Sequence, residues 1–399
     1  MKTLVFQGII KKIAMIKILS KFSKKAYHAK CSPIQYLKLP DPKLPAENWV
    51  RVKNIQTGIC GSDMTFYTCG QSASVAFYPI PGSETTYLGH ETIGTISEVG
   101  KKVKKFKIGD RVTLWKYLSC CDIKGIADQC EMCKKGMYAD CENYGAEPII
   151  KTTNGAGFGD MYIAPENQLL KVDNEITNDQ AVLVEPFSVS LHAVLKHIPK
   201  PKDKVLVIGA GMIGLNVIQF VKLYQPKCKI YVLEKNKNKY DFARKLGADE
   251  FLSGDTYEAV AEATSGKLYV RGKNKMIMGG FDIIYDCVGK GTFFNDTLRW
   301  LKAQGTLVKI GYQMTPTTFD ETPIWWQGLN IIGSDSHGME EVNGEKITSF
   351  ELVMRLMKEK KITTKGFITH RFKLDNYKEA FKLLIENPRD TVKVVLECE

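Results

Sequence analysis

The pattern of hydrophobic and polar positions changes character about halfway along the chain. Between about Ile34 and Asp173, short β-rich runs such as WVRV (Trp49 to Val52) and TIGTI (Thr92 to Ile96) are separated by stretches rich in glycine and proline. Short strands bounded by turn residues are typical of an all-β barrel or sandwich. The first region is therefore predicted to be a β-rich, barrel-like domain.

From about Glu185 onwards, strand-like and helix-like segments alternate. These segments are predicted as strand Lys204 to Ile208, helix Leu215 to Tyr224, strand Lys229 to Leu233, helix Lys239 to Leu246, strand Asp282 to Asp286, helix Phe293 to Leu301 and strand Thr306 to Ile310. Such alternation predicts an α/β domain with a doubly wound parallel sheet.

After this alternation the chain continues with helices at Phe350 to Glu359 and Tyr377 to Glu386 and strands at Ile368 to Phe372 and Thr391 to Leu396. We expect this tail to return to the barrel-like domain. The predicted domains are therefore residues 1–185 completed by 341–399, and residues 186–340 between them.

The composition is that of an ordinary globular protein. Of the 399 residues, 44% are hydrophobic and 25% are charged, which argues against disorder. The net charge of +12 comes from scattered lysines without a recognisable nucleic-acid module, so we expect no nucleic-acid partner. The N-terminal sequence lacks the features of a secretory signal, and the longest uncharged run contains three glycines. We expect a cytoplasmic protein without a membrane span.

One basic stretch stands out near the N-terminus. Six lysines and no acidic residue occur between Lys11 and Lys25. The lysines are interleaved with Ile13, Ile16, Ile18, Leu19 and Phe22. A basic amphipathic helix is able to touch anionic lipid or a partner. The favoured interpretation is a local helix whose apolar side covers the first domain.

A glycine-rich turn follows the first strand of the alternating region. The sequence GAGMIG comes directly after VLVI and opens a helix, which is the context that gives a G-x-G-x-x-G motif its meaning. Gly209 allows the tight turn, Gly211 lets a pyrophosphate approach the backbone, and Gly214 lets the helix pack on the strand. We predict a dinucleotide site here, with Met212 and Ile213 at the helix N-terminus that faces the phosphates.

The acidic residue expected about 20 positions after this motif is Glu234, at the end of the second strand. Its carboxylate is able to accept hydrogen bonds from both ribose hydroxyls of NAD and would repel the 2′-phosphate of NADP. Lys235 is the counter-argument, because a flexible ammonium partly neutralises a phosphate. The sequence favours NAD by about ten- to a hundredfold.

Two segments of the first domain carry residue types that suit zinc, namely Cys60 in GICGSD and His90 in GHE. Singly, neither is informative, because most cysteines are small core residues and most histidines are surface residues. Four of the 11 cysteines form a second group at Cys121, Cys130, Cys133 and Cys141. In a chain that is not secreted, this arrangement favours a metal over disulfides.

Six motifs together resemble the zinc-containing medium-chain dehydrogenase/reductase family, close to its sorbitol, threonine and glucose dehydrogenase branch. The motifs are GICGSD, LGHETIGTISEVG, GDRV, EPFSVSLHAV, VIGAGMIG and ITHRFKLDNYKEAF. The resemblance covers nearly the whole chain and is only weakly specific for a substrate. It implies a GroES-like catalytic domain, a Rossmann NAD-binding domain, and a homodimer or homotetramer.

The resemblance also implies a catalytic zinc ion held by Cys60 and His90, with Glu91 and Glu185 as third and fourth ligands that alternate with water. Asp63 would fix the orientation of the His90 ring. Zinc with one open coordination position acts as a Lewis acid on an alcohol oxygen.

Further residues match the family more loosely. Ser62 resembles the hydroxyl that passes the alcohol proton towards solvent, although capping the following helix is the alternative. Many relatives carry a histidine three positions later, where this chain has Thr65, so the rest of the proton path stays open. Lys239 matches a residue that contacts the adenine ribose.

The last three residues of the cysteine group match a structural zinc lobe at about 119–143. Where relatives have a cysteine three positions before Cys130, this chain has Ala127, and Cys121 stands nine positions before, beside Cys120. The favoured interpretation is an enlarged loop in which Cys121 supplies the fourth thiolate. The alternative is a degenerate lobe without metal.

The function expected from the resemblance is reversible oxidation of a small secondary alcohol or polyol by NAD. A zinc-less reductase of enones or quinones on the same scaffold would not need Cys60, His90 and Glu185 together. A non-catalytic nucleotide-sensing protein is the alternative from another class, suggested by Thr65 and the irregular cysteine lobe. Four polar or aromatic residues are candidates for the substrate pocket but are interpreted first as core or rim residues: Thr65, Tyr67, Tyr87 and Trp325.

Overall fold

The computed structural model describes residues 1–72, 74–75, 85–115, 120, 123–146 and 155–398. The chain forms two compact units. The first unit comprises Met1–Glu185 and His337–Glu399, and the second comprises Pro186–Ser336.

Strands and helices of the described residues are numbered in chain order. The strands are β1 (Lys2–Gln7), β2 (Ile34–Lys38), β3 (Trp49–Gly58), β4 (Thr85–Tyr87), β5 (Glu91–Val99), β6 (Arg111–Leu114), β7 (Met161–Pro165), β8 (Leu169–Lys171), β9 (Lys204–Ile208), β10 (Lys229–Leu233), β11 (Glu250–Phe251), β12 (Lys267–Arg271), β13 (Asn274–Met278), β14 (Phe281–Asp286), β15 (Leu301–Lys309), β16 (Asn330–Gly333), β17 (Met339–Val342), β18 (Glu345–Thr348), β19 (Ile368–Lys373) and β20 (Lys393–Glu397). The helices are α1 (Ile10–Leu19), α2 (Gly61–Tyr67), α3 (Glu131–Lys134), α4 (Asn178–Ala181), α5 (Val184–Lys196), α6 (Met212–Tyr224), α7 (Tyr240–Lys245), α8 (Thr256–Thr264), α9 (Phe294–Trp300), α10 (Thr322–Gln327), α11 (Ser349–Lys358) and α12 (Tyr377–Glu386).

The first unit is built on a seven-stranded sheet. Its path runs β19-β20-β3-β5-β6-β8, and β7 also pairs with β3. The predicted β-rich, barrel-like architecture is confirmed. Strands β3 and β5 are antiparallel neighbours, so that Gly58 at the end of β3 faces Glu91 at the start of β5. Strand β20 pairs antiparallel with the same end of β3, where Val395 lies opposite Gly58. Three segments distant in sequence therefore meet where one end of β3 lies beside β5 and β20, in the interior of this sheet.

The second unit contains a six-stranded parallel sheet with the order β11-β10-β9-β14-β15-β16. When only the six strands of this sheet are numbered in chain order, the spatial order is 3-2-1-4-5-6, which is the Rossmann arrangement. The predicted doubly wound sheet is confirmed. Its central strands are buried on both faces, as the continuous apolar run VLVI in β9 requires.

Element boundaries differ from the predictions in a few places. Helix α6 begins at Met212, inside the glycine-rich motif and three residues before the predicted Leu215, and β15 begins five residues before the predicted Thr306. The hairpin of β12 and β13 was not predicted. Neighbouring Tyr269 and Val270 in β12 are both more than half exposed, so the hairpin has no alternation of buried and exposed positions that sequence could reveal. Within the described ranges, no helix has the length and apolar character needed to cross a bilayer.

Candidate functional site

Three potential metal ligands converge where β3 ends and β5 begins. Cys60 lies between β3 and α2, His90 directly precedes β5, and Glu91 is the first residue of β5. Because β3 and β5 are antiparallel neighbours, the end of one strand lies beside the start of the other. The sulfur of Cys60, a ring nitrogen of His90 and a carboxylate oxygen of Glu91 all lie within 4.8 Å of one another. Sulfur, nitrogen and carboxylate oxygen form a mixed donor set that suits zinc.

Asp63, in the first turn of α2, joins the two ligand segments. Its carboxylate accepts hydrogen bonds from the backbone N–H of Cys60 at 2.9 Å and of Gly89 at 3.3 Å. The same carboxylate lies 3.9 Å from Nδ1 of His90. Burial raises the pKa of Asp63, although the charge of His90 acts in the opposite direction. One buried side chain thus holds the backbone beside both ligands.

Glu91 forms a buried ion pair that sequence reasoning missed. Nζ of Lys393, in β20, lies 2.6 Å from each carboxylate oxygen of Glu91 and donates to the carbonyl oxygen of Ile59 at 3.1 Å. Both side chains are at most 3% exposed. A side chain at Gly58 would overlap the Glu91 carboxylate, so any larger residue there would displace Glu91 from its present position. The signal for Lys393 was a lysine inside the apolar run VKVVL, since a buried lysine requires a paired charge.

Glu185 is buried beside this centre. Glu185 does not belong to the set of ligand atoms from Cys60, His90 and Glu91 that lie within 4.8 Å of one another. The charges of His90, Glu91 and Lys393 nevertheless all affect the pKa of Glu185. Burial raises the pKa of Glu185 to about 7, and the opposing charge of His90 limits the rise. The buried surroundings of Glu185 therefore favour the neutral form of its carboxyl group more than water would.

The electrostatics of the centre fit a bound divalent cation. Burial disfavours the charged imidazole of His90, but the negative charges of Asp63 and Cys60 outweigh it and raise the pKa of His90 well above its ordinary value. The carboxyl group of Glu185 and the thiol of Cys60 act on both His90 and the buried ammonium of Lys393, whereas Asp63 acts on His90 and Glu91 acts on Lys393. A cation held by Cys60, His90 and Glu91 would balance this excess of acidic groups.

Ser62 is half-buried in the first turn of α2, two residues after Cys60. The residue at the helix N-cap is Cys60, so the alternative role of Ser62 as the capping residue is not what the structure shows. Thr65 donates its hydroxyl to the carbonyl oxygen of Gly61 at 3.2 Å. Its hydroxyl is thus bound to its own helix.

A second cluster contains four cysteine sulfurs within 4.8 Å of one another, from Cys120, Cys130, Cys133 and Cys141. The Cys120 sulfur lies 3.8 Å from that of Cys133 and 3.5 Å from that of Cys141. Four thiolates around one zinc ion at Zn–S distances of about 2.3 Å lie roughly 3.8 Å apart, whereas a disulfide requires about 2.05 Å. The cluster therefore has the dimensions of a tetrahedral zinc site.

Cys121, the predicted fourth ligand, lies outside the described residues, and the fourth sulfur of the described cluster is that of Cys120. Cys120 is fully buried and accepts hydrogen bonds from Asn143 at 3.2 Å and from the N–H of Cys130 at 3.4 Å. Burial disfavours the thiolate, but the bond from Asn143 and the other hydrogen bonds lower the pKa of Cys120 to about 6. Asn143 was not identified from the sequence.

The glycine-rich turn of the second unit has the form that the motif predicts. Gly209 has a positive φ of 89°, which favours glycine. A side chain at Gly214 would overlap the carbonyl oxygen of Gly209, whereas one at Gly211 would meet no described atom within 4 Å beyond its chain neighbours. The space beside Gly211 is therefore open for a pyrophosphate. Met212 and Ile213 form the first turn of α6.

Glu234 is anchored beside this turn. One carboxylate oxygen accepts the N–H of Ala210 at 2.8 Å, and the other accepts the N–H of Asn236 at 2.8 Å. Lys235 directs its ammonium to 5.9 Å from the Phe293 ring centroid. Lys239 is half-buried at the start of α7. Among the residues that the structure describes, the charged side chain bonded to the glycine-rich turn is thus the acidic Glu234.

The candidate pocket residues lie in different environments. Tyr67 belongs to the core, where it stacks on Phe381 at 3.9 Å and its hydroxyl is 2.7 Å from Nδ1 of His28. Tyr87 is half-buried in β4. Trp325, in α10 of the second unit, is 83% exposed.

Comparisons with known proteins agree on one family. Residues 46–174 match the model of the alcohol dehydrogenase GroES-like domain, and residues 213–359 match that of zinc-binding dehydrogenases. The chain is 30% identical to D-arabinitol dehydrogenase 1 of Uromyces fabae, over 89% of this chain and 91% of the relative. It is 29% identical to D-xylulose reductase of Saccharomyces cerevisiae, over 89% and 92% respectively.

Solved structures show the same likeness. The crystal structure of 2R,3R-butanediol dehydrogenase from Bacillus subtilis matches with a TM-score of 0.69 and 26% identity, covering 91% of this chain and 96% of that one. The match extends over both units and supports the fold described above.

Proposed function

Because the chain belongs to the zinc-containing medium-chain dehydrogenase/reductase family of alcohol and polyol dehydrogenases, we propose that it transfers a hydride between a secondary alcohol or polyol and NAD in a zinc-dependent reaction. The observation that carries this proposal is the convergence of the Cys60, His90 and Glu91 ligand atoms within 4.8 Å. The names of the relatives, which include an arabinitol dehydrogenase and a xylulose reductase, support a polyol as the substrate class.

Cys60 and His90 would hold the zinc ion, and Glu91 and Glu185 would supply further oxygen ligands that exchange with water or substrate. Zinc in such a site supplies Lewis acidity, which favours loss of the proton from the alcohol. Asp63 keeps the two ligand segments in register through its hydrogen bonds to the N–H groups of Cys60 and Gly89.

Lys393 would limit how strongly Glu91 binds the metal. Because both carboxylate oxygens of Glu91 lie 2.6 Å from the Lys393 ammonium, that carboxylate is shared between two cations when the metal is bound. A weaker third ligand leaves coordination space for the alcohol. Burial raises the pKa of Glu185, which brings its titration closer to neutral pH than that of an exposed carboxyl group.

Ser62 would accept the alcohol proton and pass it towards solvent. Its hydroxyl has no hydrogen-bond partner among the described residues, and it is half-buried two residues after Cys60. Thr65 donates to Gly61 and is not positioned as a base, so the proton would leave through water.

The second unit would bind NAD through the turn from Gly209 to Gly214. Open space at Gly211 accommodates the pyrophosphate, and the start of α6 at Met212 and Ile213 supplies N–H groups. Glu234 would accept the ribose hydroxyls, and Lys239 would contact the same ribose. The ammonium of Lys235, the residue after Glu234, faces the ring of Phe293. Lys235 is therefore not placed to neutralise the 2′-phosphate of NADP.

The four-cysteine cluster would hold a second zinc ion with a structural role. Four sulfurs fill a tetrahedral site and leave no position for substrate. We assign the fourth ligand to Cys120, since its sulfur lies with the other three.

A substrate screen with zinc-replete protein tests the proposed function. We expect NADH formation with polyols, two zinc ions per chain, and a kcat/KM for NAD about ten- to a hundredfold above that for NADP. Reduction of enones or quinones without zinc would establish the alternative reductase. Nucleotide binding without turnover of any alcohol would establish a sensing protein instead.

A further inference from the structure

Helix α1 has one side that packs on the protein and one side that does not. Ile16 is fully buried, and Ile13 packs against the core cluster of the first unit that contains Leu4 and Phe6. These two residues form the apolar contact of the helix with the domain. The inner side thus meets the expectation that an N-terminal helix covers the first domain.

The outer side of α1 is also apolar, which attachment does not explain. Ile10, Ala14, Ile18 and Phe22 recur at intervals of four residues and form one row along the helix and the turn after it. Ile10 is 69% exposed, Ile18 59% and Phe22 85%. Met15 is exposed at 40%. A row of this size costs solvation free energy unless a partner covers it.

Lysines flank this row and are not neutralised. The first forty residues contain nine lysines and no aspartate or glutamate. None of the lysines from Lys11 to Lys25 has a carboxylate within 4 Å in the part of the chain that is described, whereas Lys102 and Lys222 each lie 2.8 Å from one. Lys17 instead donates to the carbonyl oxygen of Gln71. The surface therefore carries unbalanced positive charge.

We propose that this N-terminal patch, the row Ile10, Ala14, Ile18 and Phe22 with the lysines from Lys11 to Lys25, docks the protein onto a bilayer that contains anionic lipid. Lysine ammoniums would bind phosphate and carboxylate headgroups, and the apolar row would enter the boundary with the acyl chains. A nucleic acid would satisfy the lysines but would leave Ile18 and Phe22 in water. The helix lies on the surface of the membrane and does not span it.

Vesicle sedimentation of the full chain tests this proposal. We compare vesicles of phosphatidylcholine alone with vesicles in which about one third of the lipid is phosphatidylserine. The protein should bind the anionic vesicles, and raising the salt to 0.5 M should release it because the lysine contribution is screened.

Two variants separate the contributions of charge and of the apolar row. The triple variant Lys11→Gln, Lys21→Gln, Lys25→Gln should bind anionic vesicles about a hundredfold more weakly, since each lysine near such a surface contributes about a factor of five to ten. The double variant Ile18→Ser, Phe22→Ser should bind at least tenfold more weakly. All five positions are exposed, so the fold should be retained.

The matched control removes the same charge elsewhere in the first unit. Lys101, Lys104 and Lys365 are exposed, and their combined change to glutamine should alter vesicle binding less than threefold. Equal losses in both triple variants would reduce the effect to net charge and overturn the proposal. Failure of the unmodified protein to bind anionic vesicles would also overturn it, as would an Ile18→Ser, Phe22→Ser variant that abolishes a concentration-dependent dimer while vesicle binding is unchanged.

Discussion

The two cysteine-containing centres of the first unit differ in how their ligands are held. In the four-cysteine cluster, every donor is a sulfur, and Cys120 receives hydrogen bonds from Asn143 and Cys130. At the second centre, called here the mixed centre because its donors are the sulfur of Cys60, the nitrogen of His90 and the carboxylate of Glu91, the ligands lie beside an ammonium. That ammonium belongs to Lys393 and forms an ion pair with Glu91.

This difference separates a closed site from an adjustable one. Four equivalent sulfurs leave no coordination position open, so a metal there contributes to folding. A donor that is already bonded to an ammonium is easily displaced, so a metal at the mixed centre keeps room for another oxygen. Zinc is thus expected to stabilise the fold at the four-cysteine cluster and to take part in the reaction at the mixed centre. The difference arises from the residues that surround the ligands.

The largest effect is expected from a substitution at Cys60, which tests whether the mixed centre holds a catalytic metal. Cys60→Ser should lower kcat at least about a thousandfold, because the Lewis acid contributes several kcal/mol to the reaction. The zinc of the four-cysteine cluster and NADH affinity should stay within twofold of the unmodified protein, as metal analysis and fluorescence titration would measure. Cys31→Ser, at a half-buried cysteine without ligand neighbours, is the control. A kcat equal to that of the control would rule out a catalytic metal at Cys60.

Lys393→Met should reveal the cost of leaving Glu91 without its cation. The variant should lose about 3–5 kcal/mol of unfolding free energy in urea, because a buried carboxylate is left uncompensated. Adding Glu91→Gln should restore most of that loss. Added zinc should stabilise Lys393→Met more than the unmodified protein if Glu91 is a ligand. Equal stabilisation by zinc in both proteins would remove Glu91 from the ligand set.

Cys120→Ala should remove one zinc ion per chain and leave the other in place. We expect a loss on the order of 3 kcal/mol in stability and roughly 6–12 °C in Tm, with little change in kcat. Cys121→Ala should have neither effect. The control Cys69→Ala, at another buried cysteine, reports the cost of the cavity alone. Retention of both ions in Cys120→Ala together with loss of one in Cys121→Ala would reverse the assignment of the ligand.

The smallest effects concern side chains that touch ligands without binding metal. Asn143→Ala should weaken the zinc affinity of the cysteine cluster by about tenfold and leave kcat unchanged, because one hydrogen bond to the Cys120 sulfur is lost. Asp63→Asn should lower both zinc affinity and kcat by about ten- to a hundredfold at the mixed centre. Chelator competition, measured alongside turnover, checks both variants. Parallel losses of activity in the two variants would contradict the separation of roles.

Local motifs could be predicted from the sequence because their chemistry resides in contiguous residues. The turn from Gly209 to Gly214 requires small residues at fixed spacing, and the space that each glycine leaves follows from local geometry. The strands β9 and β10 were predicted to the residue because a buried parallel strand is a continuous apolar run.

Contacts between distant residues could not be predicted in this way. Glu91 and Lys393 are 302 positions apart, and only the pairing of β20 with β3 brings them together. Cys120 and Cys121 are adjacent, so spacing alone does not tell which of their side chains turns towards the cluster. The partner of a buried charge depends on tertiary pairing rather than on periodicity.

The position of Lys393 on β20 also sets an order of assembly during synthesis. The second unit is one continuous segment, Pro186–Ser336, so the ribosome supplies all of its strands before it begins His337–Glu399. The first unit cannot complete its sheet at that stage, because the end of β3 next to Cys60 has no β20 to pair with until β20 has been translated. In a growing chain Glu91 is therefore without its ammonium until the 302 positions that separate it from Lys393 have been translated. We expect the nascent first unit to be the part that chaperones protect and that proteases recognise.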